Sequence, residues 1–456
     1  MKCVRCETNN NFKERIEAGG RCKNCNHPFV FDPKAGSKFT DIFFKNSIQI
    51  ISSENTLFFT PKQLWYLIEK RLVNKNNIEL LGYLFISAFF LPFILPFTFT
   101  LAFIIGVQMR TLFLIPTIIF LSLVSFLIWG SKSQQFPTKI RRIFARAMQI
   151  LGGLILVAVL VWFFKFSTVK NTAFFLFLLG IGLGIFLIYF GMRLLSIQHK
   201  IPQPLQFHQS EIPHWLSRWE EVNGEVTNVL APSKEMSEPI EINSEVKAYS
   251  FDRVIVCDTA EIAQFLIANN FHFEHNCAVL SIDGYPQNIF STVMQMLKQN
   301  PDLKVYAFHS ATPRGVTTIN ELRNSPNWFG GNNLIIYDLG LLPRHVFPSK
   351  NMWIIKSDEL AGQGRKIPAE VKQTLSTDEL EWLEAGFYVE LESFSPRKLL
   401  QVVSQGIAKT QAVANGYSSA SDSSLDSGYS SDDGIILVGI DDDNRNTSFF
   451  ASDSFG

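Results

Sequence analysis

Four of the six cysteines lie in the first 25 residues, with the spacing C-x2-C, fifteen residues, C-x2-C. They are Cys3, Cys6, Cys22 and Cys25. Two such pairs can present four thiolates to one tetrahedral ion, a pattern typical of a zinc ribbon, here over residues 1–32. The alternative is two disulfides. Because no apolar leader precedes Cys3, we expect a reducing cytoplasmic compartment and structural zinc.

Acidic and polar residues also stand at the ends of strands predicted in the second half of the chain. Asp258, Asp283 and Asp338 each close an apolar strand, and His309 ends another. Apolar strands alternating with helices predict a parallel sheet covered on both faces, which binds ligands beyond the carboxyl ends of its strands. The three carboxylates could form a cation site there, or they could serve as turn formers and helix caps. Likewise, His309 could be a ligand or base, or a hydrogen-bonded structural residue.

Four apolar stretches predict a membrane protein. Only 18% of the residues are charged, and 42 are Phe. Residues 80–109, 111–131, 147–164 and 171–192 contain no charged side chain. Each stretch comes close to the roughly 20 residues that cross a bilayer, or exceeds them. We therefore expect a unit of four transmembrane helices, residues 80–196, in contact with membrane lipids.

Charge around these stretches predicts their orientation. Basic residues crowd the segment before the first stretch and the loop between the second and third, which places both termini in the cytoplasm. No ionisable side chain lies well inside a stretch, so we expect an anchor or assembly unit rather than a channel or transporter. Gly180 and Gly184 form a small-xxx-small face in the fourth stretch, which predicts helix packing and could support homo-oligomerisation.

Between the cysteines and the first apolar stretch, residues 39–77 predict a small helical module of winged-helix type. Thr60 and Pro61 are a helix cap and a first helical residue. In the helix that follows, apolar residues recur at helical spacing, and Lys62, Glu69 and Arg71 are expected to face outward.

Residues 411–456 are rich in Ser and Asp, and from residue 412 they hold eight Asp against one Arg. Such a segment buries too little apolar surface to offset chain ordering, so we expect it to be disordered. Its one apolar heptad, "GIILVGI", could add a strand to a partner's sheet.

The domain at residues 205–410 resembles the Toprim domain of the topoisomerase VI A subunit and of the related meiotic double-strand-break proteins. The pieces that carry the resemblance are, in order, "VIVCDTAEIAQFL", "SIDGYP", "VYAFHSATPRG", "DLGLLPRHV" and "TDELEWLEAGFYVELESF". The earlier "FTPKQLWYLIEKRL" resembles that family's tyrosine helix, with Tyr66 at the position of the nucleophile. The resemblance implies an α/β Toprim-like fold.

The chain departs from that family at the metal-binding positions. The family uses a Glu after the first strand and two Asp in the Asp-x-Asp turn to bind magnesium, whereas this chain has Asp258, Ser310 and Thr312. Magnesium prefers carboxylate oxygens, so its binding here is not expected. We therefore expect a membrane-anchored, cytoplasm-facing binding or scaffold protein with an inactive Toprim-like domain.

Its partner would be a protein, or nucleic acid if basic residues such as Arg314, Arg323, Arg344 and Lys350 line the strand ends. The alternative is a membrane-tethered, metal-dependent, phosphodiester-processing enzyme that uses Asp258 with Asp283 or Asp338.

Overall fold

The computed structural model describes residues 1–73, 114–136, 138–166, 171–231, 251–287, 289–291, 293–294, 303–330, 334–349 and 352–414. The chain divides into two compact units. The first, called here the sheet unit, comprises Met1–Glu69 and Gln206–Gly456. The second, called the helical unit, comprises Lys70–Leu205.

The centre of the sheet unit is a four-stranded sheet. Its strands are β1 (Arg253–Cys257), β2 (Cys277–Ser281), β3 (Lys304–Phe308) and β4 (Ile336–Asp338), in the order β2-β1-β3-β4. All neighbouring pairs are parallel, which confirms the predicted parallel sheet. Alternate residues enter two different cores, with Ile255 and Phe308 on one face and Val254 and Val305 on the other.

Helices and a small two-stranded antiparallel sheet accompany this sheet. The small sheet pairs β5 (Ile355–Lys356) with β6 (Phe387–Tyr388). The helices of the sheet unit, in chain order, are α1 (Phe12–Glu17), α2 (Asp41–Ile51), α3 (residues 61–73), α7 (Ile212–Asn223), α8 (Ala260–Ala268), α9 (Phe271–Glu274), α10 (Pro313–Asn324), α11 (Pro343–Val346), α12 (Asp358–Arg365), α13 (Ala369–Thr374), α14 (Thr377–Glu384) and α15 (Pro396–Ala414). The last four residues of α3 belong to the helical unit. Because α15 continues to Ala414, residues 411–414 are helical, and the predicted disordered tail from residue 411 begins too early. Residues 415–456, with "GIILVGI", lie outside the described residues.

Aromatic packing joins the cysteine segment to the helices around it. The Phe31 ring lies 4.8 Å from that of Phe44 on α2, and Trp219 on α7 lies 5.2 Å from Phe44. The buried Asp41 carboxylate accepts hydrogen bonds from the amides of Val30 (3.1 Å) and Phe31 (2.7 Å). These contacts satisfy backbone donors that would otherwise be buried without partners.

Helix α3 begins as predicted. The Thr60 hydroxyl accepts from the Gln63 amide, and the Gln63 side chain accepts from the Thr60 amide, which is a capping box. The prediction that Lys62, Glu69 and Arg71 face outward is wrong. Glu69 is fully buried, and its carboxylate accepts hydrogen bonds from the backbone amides of Gln206 and Phe207. Arg71 is only 8% exposed. The side chain of Lys62 is 25% exposed and makes ion pairs.

The helical unit contains α4 (Leu114–Lys132), α5 (Thr138–Phe166) and α6 (Asn171–Ser196). Two segments are long and apolar enough to cross a membrane, Ile140–Val161 within α5 and Phe177–Ser196 within α6. They match the third and fourth predicted spans. Phe120–Lys132 within α4 is apolar but shorter, and the first predicted span, residues 80–109, lies outside the described residues. Two of the four predicted spans are thus represented by helices of sufficient length.

Small residues sit where α5 and α6 pack together. A side chain at Gly184 would collide with Leu156 and the Gly152 carbonyl of α5, and one at Gly180 would collide with Val159. The predicted small-residue face therefore packs within the chain itself.

Candidate functional site

The four N-terminal cysteines lie together. Their Sγ atoms are all within 4.8 Å of one another, with 3.6 Å between Cys3 and Cys25 and 3.6 Å between Cys6 and Cys22. These separations exceed the disulfide bond length of about 2.05 Å. A tetrahedral ion with metal–sulfur bonds of about 2.3 Å places its ligands about 3.8 Å apart. The four side chains therefore could hold a metal ion such as zinc.

Local sequence explains why the cysteines converge. Each C-x2-C pair is followed by a residue in the left-handed region, Glu7 and Asn26, both with φ of 56°. Each pair is also closed by the same backbone bonds, for example from Glu7 to the Cys3 carbonyl and from Asn26 to the Cys22 carbonyl. The two knuckles thus share one conformation and turn their thiols toward a common point. The Asn10 side chain adds a hydrogen bond to Cys22 Sγ at 3.5 Å.

At the end of β3, the two hydroxyl residues of the turn bond to the protein backbone. Ser310 Oγ accepts from the Leu391 amide at 3.3 Å, and Thr312 Oγ1 accepts from the Gly315 amide at 3.0 Å as the cap of α10. The turn is tight, because a Cβ at Gly315 would overlap the Ser310 carbonyl oxygen.

The three strand-end aspartates have three different partners. Asp258 is buried and accepts from the Ser310 amide at 2.8 Å. Asp283 pairs with Arg314 at the surface, and Asp338 lies 3.1 Å from the Nε2 of His309. Among the described residues, the cysteines are the one group of three or more His, Cys, Asp or Glu side chains whose ligand atoms lie close enough to share an ion. The three aspartates therefore do not form a joint cation site in this arrangement.

The buried His309 pairs with Asp338, whose side chain is 15% exposed. Burial by itself lowers the pKa of His309, but the neighbouring Asp338 raises it above its ordinary value. Burial raises the pKa of Asp338, but His309 and the Gly340 amide at 2.7 Å lower it below its ordinary value. His309 therefore has the hydrogen-bonded, structural environment that is one of the two alternatives from its sequence position.

Tyr66 does not have the environment of a nucleophile. It is 1% exposed, and its hydroxyl donates to Glu390 Oε2 at 2.6 Å. Burial and the Glu390 carboxylate raise the pKa of Tyr66 well above its ordinary value. A nucleophilic tyrosine must lose its proton, and a neighbouring carboxylate opposes that loss.

Lys62 and two glutamates complete a group that sequence reasoning missed. Lys62 Nζ lies 2.6 Å from Glu390 Oε1 and 3.8 Å from Glu392 Oε1. We call Lys62, Tyr66, Asp258, Ser310, Glu390 and Glu392 the strand-end cluster. A partial signal was present, because the i,i+4 spacing of Lys62 and Tyr66 places both on one face of α3. The glutamates were visible only as the "VELES" piece of the resemblance.

Two backbone bonds hold the strand-end cluster together from the sheet side. The Ala311 amide donates to the Val389 carbonyl at 3.0 Å, and the Val389 amide donates back at 3.3 Å. This bridge brings the turn after β3 beside the segment that carries Glu390 and Glu392. The cluster thus contains groups from the turn, from α3 and from the acidic segment.

Two of the four basic residues considered for nucleic-acid contact are paired with acids. Arg314 pairs with Asp283, and Arg344 lies 2.9 Å from the buried Glu379 carboxylate. Arg323 is exposed, and residue 350 lies outside the described residues.

No protein-family model matches the chain, and no curated protein sequence matches it.

Proposed function

We propose that the protein is a membrane-anchored, cytoplasm-facing binding protein whose sheet unit is a non-catalytic Toprim-like domain. The observation that carries the proposal is the use of Ser310 and Thr312. They stand where the resemblance expects carboxylates, and both hydroxyls bond to amides of the protein itself. Magnesium prefers carboxylate oxygens, and residues 309–315 of this turn include no Asp or Glu.

The membrane part of the proposal is an anchor with four spans and both termini in the cytoplasm. It is supported by the two helices of sufficient length and by the basic segments that flank the apolar stretches. Residues 147–164 and 171–192 contain no Asp, Glu, Lys, Arg or His, so they lack the charged groups that usually move ions or protons through a bilayer. These features favour an anchor over a transporter.

A protein partner is favoured over nucleic acid. The chain has 41 basic and 41 acidic residues, and Arg314 and Arg344 are engaged by carboxylates. Nucleic-acid binding depends on basic groups free to neutralise phosphates. The phosphodiester-processing alternative has no supporting geometry among the described residues, because Asp258, Asp283 and Asp338 are held separately.

The cysteine cluster is proposed to hold one structural zinc ion. Full-length protein in phosphatidylcholine nanodiscs should contain one equivalent of zinc by elemental analysis. The variant Cys6→Ser should lose this zinc, whereas Cys257→Ser should keep it, because Cys257 lies in β1. Retention of full zinc by Cys6→Ser would contradict the assignment.

The absence of catalysis and the binding role are tested together. The nanodisc-embedded full chain is incubated with supercoiled plasmid and with a phosphodiester dye substrate, each with Mg²⁺ or Mn²⁺. We expect no cleavage above the level of empty nanodiscs. In parallel, a photo-crosslinker at the exposed position Arg323 should capture one recurrent protein in cells, and the same crosslinker at the exposed Arg365 serves as the control.

Metal-dependent cleavage that is lost in Asp258→Asn would overturn the proposal. So would crosslinking to nucleic acid alone.

A further inference from the structure

We infer that the Lys62 ammonium is the built-in counter-cation of the strand-end cluster, and that it stands in place of a divalent metal ion. This inference deepens the proposed non-catalytic function and rests on it. The presence of Ser310 and Thr312 in place of carboxylates does not explain what balances the charge of the acidic groups that remain. The inference concerns that balance.

The position of the Lys62 ammonium supports this inference. Lys62 Nζ is 2.6 Å from Glu390 Oε1 and 3.8 Å from Glu392 Oε1, so it bridges the two carboxylates. The side chains of Lys62, Glu390 and Glu392 are 25%, 18% and 6% exposed. A charge in such a position is weakly screened by solvent, and the pair is correspondingly strongly coupled. Tyr66 donates to the other oxygen of Glu390 and completes its hydrogen bonding.

The charges within the strand-end cluster also support it. The cluster contains three carboxyl groups, on Asp258, Glu390 and Glu392, and the ammonium of Lys62. The pKa of Asp258 is raised by burial, and that of Glu392 is raised to about 7, also by burial first and then by Glu390 and Asp258. Because the charge of Asp258 helps to raise the pKa of Glu392, the two carboxyl groups interact electrostatically. Proton uptake and one lysine can therefore balance the cluster without a second cation.

Lys62 also competes with a divalent ion for the carboxylates of the cluster. Asp258 Oδ1 is buried and has no hydrogen-bond partner among the described residues, so it is open to a proton or to a cation. A divalent ion bound to Glu392 would lie close to the ammonium, which is 3.8 Å from Glu392 Oε1, and would be repelled by it. Magnesium further requires near-octahedral oxygen ligands at about 2.0–2.1 Å, and Lys62 already occupies the approach to both glutamates. Lys62 and a divalent ion are thus alternatives.

A structural consequence follows for α3. Because Lys62 and Tyr66 both lie on this helix, the ion pair fastens α3 to the segment that carries Glu390 and Glu392. An attachment through a bound metal ion would depend on the metal concentration, whereas the attachment through Lys62 does not.

The test measures Mn²⁺ binding by electron paramagnetic resonance, using zinc-loaded full-length protein in phosphatidylcholine nanodiscs. Mn²⁺ prefers oxygen ligands, so the zinc-filled cysteine cluster does not compete. The wild type should show no saturable site. Lys62→Gln should gain a saturable Mn²⁺ site with an affinity at least about tenfold above any residual binding by the wild type, and its melting temperature should rise with added Mn²⁺.

Two further variants locate the effect. Lys62→Arg keeps the cation and should behave as the wild type, and Lys366→Gln removes an exposed lysine elsewhere as the matched control. Adding Asp258→Asn to Lys62→Gln should abolish the gained site.

Saturable Mn²⁺ binding by the wild type that disappears in Asp258→Asn would overturn the inference. So would a Lys62→Gln protein that folds without gaining a site, or one that stays unfolded at saturating Mn²⁺, because the ion is expected to replace the lost charge. These outcomes concern binding alone. The proposed function fails by a different result, metal-dependent cleavage or crosslinking to nucleic acid alone.

Discussion

At the scale of single residues, the decisive feature is that the polar groups near the strand ends have protein partners. Ser310, Thr312, Tyr66 and His309 all make hydrogen bonds inside the chain. Groups that carry out chemistry on a substrate need a free direction of approach, and groups that hold a fold do not. The bonding pattern supports a structural role for these residues.

Tyr66 offers a direct test of that role. The variant Tyr66→Phe removes a buried hydrogen-bond donor to Glu390, so we expect a loss of about 1–3 kcal/mol in the free energy of unfolding. Denaturant unfolding of the nanodisc-embedded chain measures it. The control is Tyr337→Phe, whose ring stacks on Tyr306 and keeps that contact. Equal stability of wild type and Tyr66→Phe would show that the hydrogen bond contributes nothing.

The His309–Asp338 pair predicts a pH dependence. The raised pKa of His309 means that its contribution is complete below its unfolded value of about 6.5 and is lost as pH rises through the folded value. The lowered pKa of Asp338 means that its contribution is present above about 3.8 and is lost as pH falls through the folded value. The pair should therefore stabilise most strongly between about pH 4 and 6.5. Asp258 and His345 also act electrostatically on this pair.

The measurement compares melting curves of the wild type and Asp338→Asn from pH 5 to pH 9. The variant keeps a side-chain oxygen that can accept from Gly340. The stability difference should be about 1–3 kcal/mol near pH 6 and should shrink toward pH 9. A difference that does not change with pH would mean that His309 is neutral throughout.

At the scale of elements, close packing of α5 and α6 depends on glycine. Gly184→Leu should lower the melting temperature of the helical unit, because its side chain would collide with Leu156 and the Gly152 carbonyl. Gly182→Leu is the matched control, because a side chain there meets nothing within 4 Å. Thermal unfolding in nanodiscs, followed by helical circular dichroism, distinguishes the two. If Gly182→Leu is as unstable as Gly184→Leu, the loss of stability comes from an effect on insertion of the helix into the membrane and not from its packing against α5.

Helix α3 shows how an element can be correctly predicted and incorrectly oriented. Its start is set by local chemistry, the Thr60 and Gln63 capping box. Its polar face was expected to be exposed because charged residues usually are. Glu69 and Lys62 depart from the rule because backbone amides and two glutamates compensate the cost of burying their charges.

At the scale of the whole molecule, the proposed topology has four spans with both termini in the cytoplasm. Single cysteines introduced at positions 133 and 210, in a chain whose zinc site is intact, should be labelled only after the membrane is permeabilised. A cysteine at position 168, in the loop between the third and fourth predicted spans, should be labelled in intact cells. Labelling of position 133 in intact cells would reverse the orientation. Labelling of positions 133 and 210 from opposite sides would contradict the two predicted spans, the third and the fourth, that lie between these positions.

Several features could be predicted from short-range pattern alone. Cysteine spacing predicted the four-thiol cluster, apolar runs predicted the parallel strands and two helices of membrane-spanning length, and Thr60-Pro61 predicted a helix start. Each depends on residues that are close in the chain, such as a continuous apolar run for a strand buried on both faces or the turn of a knuckle for a pair of cysteines.

The bonding partners of these side chains could not be predicted in this way, because they depend on contacts between residues far apart in the chain. Lys62 and Glu390 are 328 positions apart, and Ser310 and Leu391 are 81 apart, so no periodicity connects them. Asp258, Asp283 and Asp338 were correctly expected at one edge of the sheet, yet their separate partners depend on which side chains the rest of the fold brings there. Ion pairing is decided by distance and dielectric in three dimensions, and neither can be read from the order of residues.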